Sequence, residues 1–143
     1  MISKTPPENF NPKFESVGCD LEHDGKILLM LRTNPKIGFQ KWGSCVGKIE
    51  PNEAMMDAIY REVKEETSII IDKKKLVFIG KYYERYPEFD FIFYLYRYVF
   101  QNKPEVILNK EHTEYKWVSI RDALKEDLMR DLADCIKDAH KIT

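Results

Sequence analysis

The run Arg61-Glu62-Val63-Lys64-Glu65-Glu66 puts three carboxylates into the last turn of a segment whose apolar residues Met55, Ile59 and Val63 recur every four positions. That recurrence is the mark of a helix with one buried stripe. Glutamates three and four apart repel each other, and a helix C-terminus carries partial negative charge, so the cluster is unfavourable on its own. Something positive has to sit in front of it. Glu62 and Glu66 stand one turn apart on the same face, with Glu65 one position before Glu66, and all three could hold one divalent cation. Hard oxygen donors suit Mg²⁺ or Mn²⁺, and Mg²⁺ keeps several waters and takes its other oxygens from substrate phosphates. The plainer reading is a solvated charged face. Such a face mixes signs, as Asp57 and Arg61 do at i and i+4, and the repeated glutamates do not follow that rule.

Around this helix the chain reads as strands. Residues 1 to about 13, with Pro6, Pro7 and Pro12, form an irregular arm, and one domain covers 14–143. A first strand runs roughly from Glu15 to Glu22, and Asp24-Gly25 is the tip of a hairpin. Lys26 to Arg32 is apolar on both faces and so belongs in a buried central position. Asn34 to Gln40 reads as loop. Residues 41–50 lead through Pro51-Asn52 into the helix, with Asn52 as N-cap. Leu76 to Tyr83 and Phe89 to Phe100 are strands joined near Tyr86-Pro87-Glu88, and Tyr115 to Val118 is a last short one. Ser119 and Asp122 resemble a capping box. Leu124, Leu128, Leu132, Ile136 and Ala139 then mark an amphipathic stretch, broken once near Glu126.

Composition narrows the class. A chain of 143 residues, 43% hydrophobic and 33% charged, can bury a core. A formal net charge of -1 leaves no broad basic footprint for duplex nucleic acid. No apolar run is long enough to span a membrane and no signal core opens the chain, which points to the cytoplasm. Cys19, Cys45 and Cys135 lack metal or disulfide spacing and read as packed thiols. His23, His112 and His140 share no ligand spacing.

The segment from Gly47 to Ile69 resembles the Nudix box: Gly47, five residues, Glu53, seven residues, Arg61-Glu62, an apolar residue, any residue, Glu65-Glu66, two more positions and apolar Ile69. With usage of roughly 6 per cent at each matched position, a chance match in the chain is on the order of one in a hundred thousand. The order of strands, loop, helix, aromatic strands, Trp117 and C-terminal helix is similar to that family over most of the chain. The fold this implies is α/β, a Nudix-type α/β/α sandwich with a mixed central sheet.

The resemblance implies a hydrolase of phosphoric anhydride bonds that requires Mg²⁺ or Mn²⁺. Its catalytic residues would be Glu62, Glu65, Glu66, Arg61 and Glu53. Glu62 and Glu66 are the principal metal ligands, Glu65 a further ligand or a base acting through water, and Arg61 orients a carboxylate with Glu53 as partner. The family adds the carbonyl before the box glycine, here Val46, and often one more glutamate, here Glu111 six residues before Trp117, as ligand or base. Glu111 also reads, with Glu114, as part of an exposed charged loop. Arg32 and Gly47 fall on the substrate side, Arg32 resembling an arginine that meets phosphates and reading otherwise as a surface cation at a strand end. Tyr82, Tyr83, Tyr86, Phe89, Phe91, Tyr94 and Tyr96 offer base stacking, or simply core.

Two departures stand out. Val46 takes a glycine position, tolerable where only a carbonyl is needed, and Ser68 takes the helix-closing glycine at a cost of about 1 kcal/mol. The implied partner is a small nucleotide, with neither membrane nor duplex nucleic acid, in a monomer or homodimer. Nucleoside triphosphates (ordinary or oxidised), nucleotide sugars, ADP-ribose and dinucleoside polyphosphates all fall within the family's range. A MutT-type triphosphate hydrolase is preferred, and the alternative is a nucleotide-sugar or ADP-ribose hydrolase, or a catalytically silent nucleotide-binding domain.

Overall fold

The computed structural model describes residues 1–33 and 40–142. Its elements in chain order are β1 (Ile2–Ser3), β2 (Pro12–His23), β3 (Lys26–Arg32), β4 (Trp42–Gly43), β5 (Cys45–Lys48), α1 (Met55–Thr67), a 3₁₀ turn (Lys73–Lys75), β6 (Val77–Arg85), β7 (Asp90–Phe100), β8 (His112–Ser119), α2 (Ile120–Ala123) and α3 (Leu132–Ala139). The loop expected at Asn34 to Gln40 lies, except for Gln40, outside the described residues.

The strands form one sheet in the order β1-β6-β7-β2-β3-β4, with β5 paired to β2 and β8 paired to β3. β2 and β7 run parallel, from Pro12 opposite Asp90 to His23 opposite Phe100, while β5, β6, β3 and β8 pair antiparallel. The sheet is therefore mixed. Strand alternation then decides the layers. Val17, Cys19 and Leu21 of β2 turn to one face and pack with Ala58, Ile59 and Val63 of α1. Phe93 and Leu95 of β7 pack with Cys135 and Ala139 of α3 on the other. β3 serves both, sending Leu28 and Met30 toward α1 and Ile27 and Leu29 toward Ala123 and Ile136. That is the α/β sandwich read from the sequence, and the doubly apolar β3 lies at its centre. None of its described helices is long and apolar enough to cross a membrane.

Several local expectations change. The arm read as irregular contributes β1, which pairs with Tyr83 and Glu84 of β6, and β2 begins already at Pro12. Asn52 is not the N-cap of α1. Glu53 N donates to Glu50 O at 3.0 Å with Pro51 and Asn52 between them, Asn52 has φ 64°, and helical geometry starts only after Ala54. Pro at the second and a left-handed residue at the third position is the pattern of a type II turn, which uses Asn52 before the helix can. The C-terminal stretch breaks more widely than expected, over 124–131. Its backbone is held there by Trp42, whose N donates to Asp127 O and whose O accepts from Met129 N, both at 2.9 Å.

Ser68 closes α1 in the left-handed conformation, φ 64°, its N donating to Lys64 O. An L side chain there costs about 1 kcal/mol, while its Oγ bond to Ile107 O is exposed and adds little. Ser68→Gly should therefore raise stability by about 0.5 kcal/mol net of the extra freedom glycine gives the unfolded chain. A rise of one to a few degrees in the melting midpoint checks this, and a fall would mean the Ile107 contact outweighs the strain.

Candidate active site

Arg61 organises the end of α1. Its Nε and Nη2 donate to the two oxygens of Glu53 at 2.8 and 2.9 Å, its Nη1 to Glu62 Oε1 at 2.6 Å, and Nη2 also to Lys48 O at 3.0 Å. Glu53 in turn accepts from Glu50 N at 3.0 Å. The bidentate pair holds the Glu53 carboxyl down at about 2, and the same bonds push the Arg61 guanidinium further up. The partnership of Arg61 with Glu53 expected from spacing is present, and it places Glu53 as the group that positions Arg61 and, through it, Glu62.

The glutamates differ in surroundings. Glu66 is 2% exposed, and its Oε2 has no partner. Burial, then the Glu62 charge, push its carboxyl well up, with the Cys45 thiol and Arg32 pulling the other way. Glu62 is shifted up by burial against the pull of Arg61. Glu65 faces solvent, 3.5 Å from Arg61. Gly47 lies against Glu62: a Cβ on it would stand 2.0 Å from the carboxylate carbon, so only glycine lets the side chain rest on β5.

From the opposite side come Arg32 and Glu111. Arg32, read as a surface cation in the plainer alternative, is 7% exposed, its Nε has no hydrogen-bond partner among the described residues, and its Nη2 is 3.9 Å from Glu111 Oε2. Glu111 is half-exposed, yet its charge acts on both Glu62 and Glu66. His112 beside it is buried and held down to about 4 by burial and Arg32, hence neutral at physiological pH. Val46 pairs with Gly18 in β5, and its side chain joins the cluster on the α3 face. The structure thus brings Glu53, Arg61, Glu62, Glu66, Gly47, Arg32 and Glu111 to one end of α1 and leaves Glu65 at the rim. Of the aromatics considered for stacking, Tyr82, Phe91 and Tyr96 are core.

Cys45 and His112 were not singled out by spacing, because each gains its place only through sheet pairing. A compact acid–histidine group also occurs on the α3 face, where ligand atoms of Asp20, Glu22 and His140 lie within 4.8 Å of one another. Glu22 there already accepts two bonds from Arg97, at 2.7 and 2.8 Å, and His140 is 2.7 Å from Asp20. The group ties the end of α3 to β2 and is separate from the α1 glutamates.

The NUDIX domain family model matches residues 14–139. The chain belongs to the Nudix hydrolase family. The CTP pyrophosphohydrolase of Escherichia coli (strain K12) is 40% identical over 55 residues, 38% of this chain and 41% of that protein, so the match spans about two fifths of that relative. The crystal structure of a MutT protein from Methanosarcina mazei Go1 superposes with a TM-score of 0.78 at 27% identity, covering 92% of this chain and 95% of that one. The NUDIX domain of Shewanella oneidensis NrtR, complexed with ADP ribose, gives 0.77 at 20% identity over 96% and 92%, a likeness of fold alone. Nudix hydrolases use divalent metal ions, and the donors present fit one: hard carboxylate oxygens, one of them buried without a partner.

Two stability predictions follow from these charges. A carboxyl shifted up, as at Glu66, gives its full contribution to folding below its ordinary 4.5 and loses it as pH rises through the shifted value. In EDTA, Glu66→Gln should leave the melting midpoint unchanged or raise it, by roughly 0.3 to 1 kcal/mol, with a larger gain at pH 8 than at pH 5. Clear destabilisation at pH 8 would make the side chain structural. For Glu53 the sign is opposite: its contribution is complete above 4.5 and disappears as pH falls toward about 2. Wild type should lose more stability across that window than Glu53→Gln, and acid titrations that run parallel would remove the clamp from the account.

Proposed function

We propose that the protein is a Mg²⁺- or Mn²⁺-dependent pyrophosphohydrolase that cleaves the diphosphate linkage of a nucleoside-diphosphate-linked substrate. A nucleoside triphosphate, ordinary or oxidised, is the first choice, giving a nucleoside monophosphate and pyrophosphate. The observation that carries this is Glu66, a carboxylate at a helix C-terminus, buried, with one oxygen unpartnered, beside Glu62 and under Arg32. A structural role would have favoured an apolar residue there.

The diphosphate is an anion that repels an incoming hydroxide, and a bound divalent ion supplies the screening and the acidified water that the reaction needs. Glu62, Glu66 and Glu65 would hold it, with the Val46 carbonyl and Glu111 completing the set. The chain's own part is orientation. Arg61 fixes Glu62, Gly47 gives it room, and Arg32, 3.9 Å from Glu111, is a cation placed to meet phosphate oxygens. Glu65, Glu66 and Glu111 are the groups available to take a proton from water. The name of the Escherichia coli relative supports a triphosphate, and the neighbour complexed with ADP ribose keeps that class next in line.

Purified protein with Mg²⁺ tested against triphosphates, nucleotide sugars and ADP-ribose, reading phosphate and pyrophosphate, tests the class. Glu62→Gln and Glu66→Gln should each lower turnover by about 10²-fold or more while the fold survives. In ¹⁸O-labelled water the label should enter the monophosphate or the pyrophosphate. Orthophosphate released with a nucleoside diphosphate left behind would overturn the pyrophosphohydrolase reading.

A further inference from the structure

Where β3 and β8 lie side by side next to the glutamates, two buried polar atoms have no hydrogen-bond partner among the described residues. One is Nε of Arg32, and the other is Nε2 of His112, a residue only 4% exposed. The register of the two strands shifts at this point, Leu31 facing Glu114 and Arg32 facing His112, so that His112 rather than Thr113 stands opposite the arginine. Direct cross-strand partners send their side chains to the same face.

The turn before β8 fixes the ring. His112 N donates to Asn109 O at 3.4 Å, and Thr33 N donates to Glu111 O at 2.8 Å, which ties the turn to the end of β3. Asn109 Oδ1 accepts from Glu111 N at 3.1 Å, so the side-chain atom at that place is the amide oxygen and not its nitrogen. His112 Nδ1 is 3.3 Å from the same oxygen, and is therefore the ring nitrogen that carries hydrogen. In a ring with one proton, Nε2 is left as a bare lone pair. The opposite tautomer would set lone pair against lone pair at Asn109, and N–H against N–H toward Arg32.

A donor and an acceptor, each buried and unpartnered, are costly apart and complementary together. Packing alone does not call for them, since an apolar residue at 112 would fill the space without the desolvation. What the pair supplies is control of the arginine fork. A guanidinium that meets phosphate with both Nη nitrogens has one hydrogen left over, on Nε, pointing away from the ligand. With nothing to accept it, the plane is free to swing, and Glu111, 3.9 Å from Nη2, pulls it toward its own side.

We propose that His112 is a positioning residue for Arg32: its bare Nε2 accepts the Nε–H of the arginine when both Nη nitrogens turn to a phosphate group of the substrate. This rests on the hydrolase reading above. The imidazole holds the guanidinium plane once the phosphate has replaced Glu111. A lysine at 32 would keep the charge but would have a methylene where Nε stands, and His112 would have nothing to hold.

The test uses the whole protein with inorganic pyrophosphate as probe. In protein labelled with ¹⁵N-histidine, at neutral pH, the His112 Nε2 signal should be that of an unprotonated imidazole nitrogen and Nδ1 that of an N–H. Adding Mg²⁺ and pyrophosphate should move Nε2 toward the hydrogen-bonded range and leave Nδ1 in place. By calorimetry in Mg²⁺, His112→Leu should weaken pyrophosphate binding about tenfold, and His112→Gln, which returns an acceptor, by no more than about threefold. In an Arg32→Lys background the leucine substitution should cost less than about twofold further, whereas a merely structural histidine would lower binding equally in both backgrounds. A protonated Nε2, wild-type affinity in His112→Leu, an undiminished effect in the lysine background, or no binding of pyrophosphate at millimolar concentration would overturn the proposal. The labelled wild type decides the matter even if the leucine variant does not fold. Coupled pyrophosphate binding without turnover of any nucleotide would sink the hydrolase reading and leave the pair of His112 and Arg32 standing.

Discussion

The contact on which the rest depends is the fork between Arg61 and Glu53. α1 ends in carboxylates that repel each other at the negative end of a helix, and such an end frays unless something holds it. Arg61 does so from within the helix, bonding Glu53 with both arms, Glu62 with the third nitrogen and the Lys48 carbonyl of β5. One guanidinium therefore joins the start of the loop, the end of the helix and the strand beneath. A lysine could match its charge but not the geometry, since four acceptors in three directions need a planar fork. Glu53 is spent entirely on this task, with Glu50 N taking what Arg61 leaves.

That clamp permits the costly part of the design, a carboxyl group at Glu66 buried almost completely. Arg32 and the Cys45 thiol reduce the cost without cancelling it, because Glu62 and Glu111 push the other way. The imbalance has a direction. A cation held among Glu62, Glu66 and Glu111, as proposed, would meet carboxyl oxygens that the fold has already positioned, two of the three already largely buried, so little reorganisation would remain for the moment of binding. Gly47 belongs to the same logic, since any side chain there would displace the Glu62 carboxylate from the strand.

What was legible in the sequence is what depends on short spacing. The helix stripe, the Arg61–Glu53 partnership, the left-handed Ser68 and the Ser119 cap, whose Oγ accepts from Asp122 N, are all within eight residues of their partners. Asn52 shows the limit even there. Its preference for capping and its tolerance of positive φ point to different positions, and Pro51 settles the choice in favour of the turn. What was not legible came through pairing. Arg32 ends a strand and looks exposed until β8 and Glu111 close over it. Glu84 and Asp131, which line the same cavity on the α3 face, are separated by two strands and a helix, β7, β8 and α2, and nothing in the pattern of either residue marks it. The antiparallel pairing of β3 with β8, which sets Arg32 opposite His112 beside Glu111, has no local signature at all.

β5 draws these observations together. It is four residues long and pairs with β2 alone among the named strands, and its two faces serve different chemistry. Cys45 and Gly47 turn to the glutamates, and Ser44 and Val46 to the cavity on the α3 face. The valine in place of a second glycine now has a physical account. On the glutamate face a side chain at 47 would push the Glu62 carboxylate off the strand, whereas at 46 the side chain points away and builds the wall of the cavity beside Phe93. A substitution at Val46 that kept the fold would consequently reshape that cavity and spare the charge arrangement around Glu62, a separation that the alternation of a single strand is sufficient to produce.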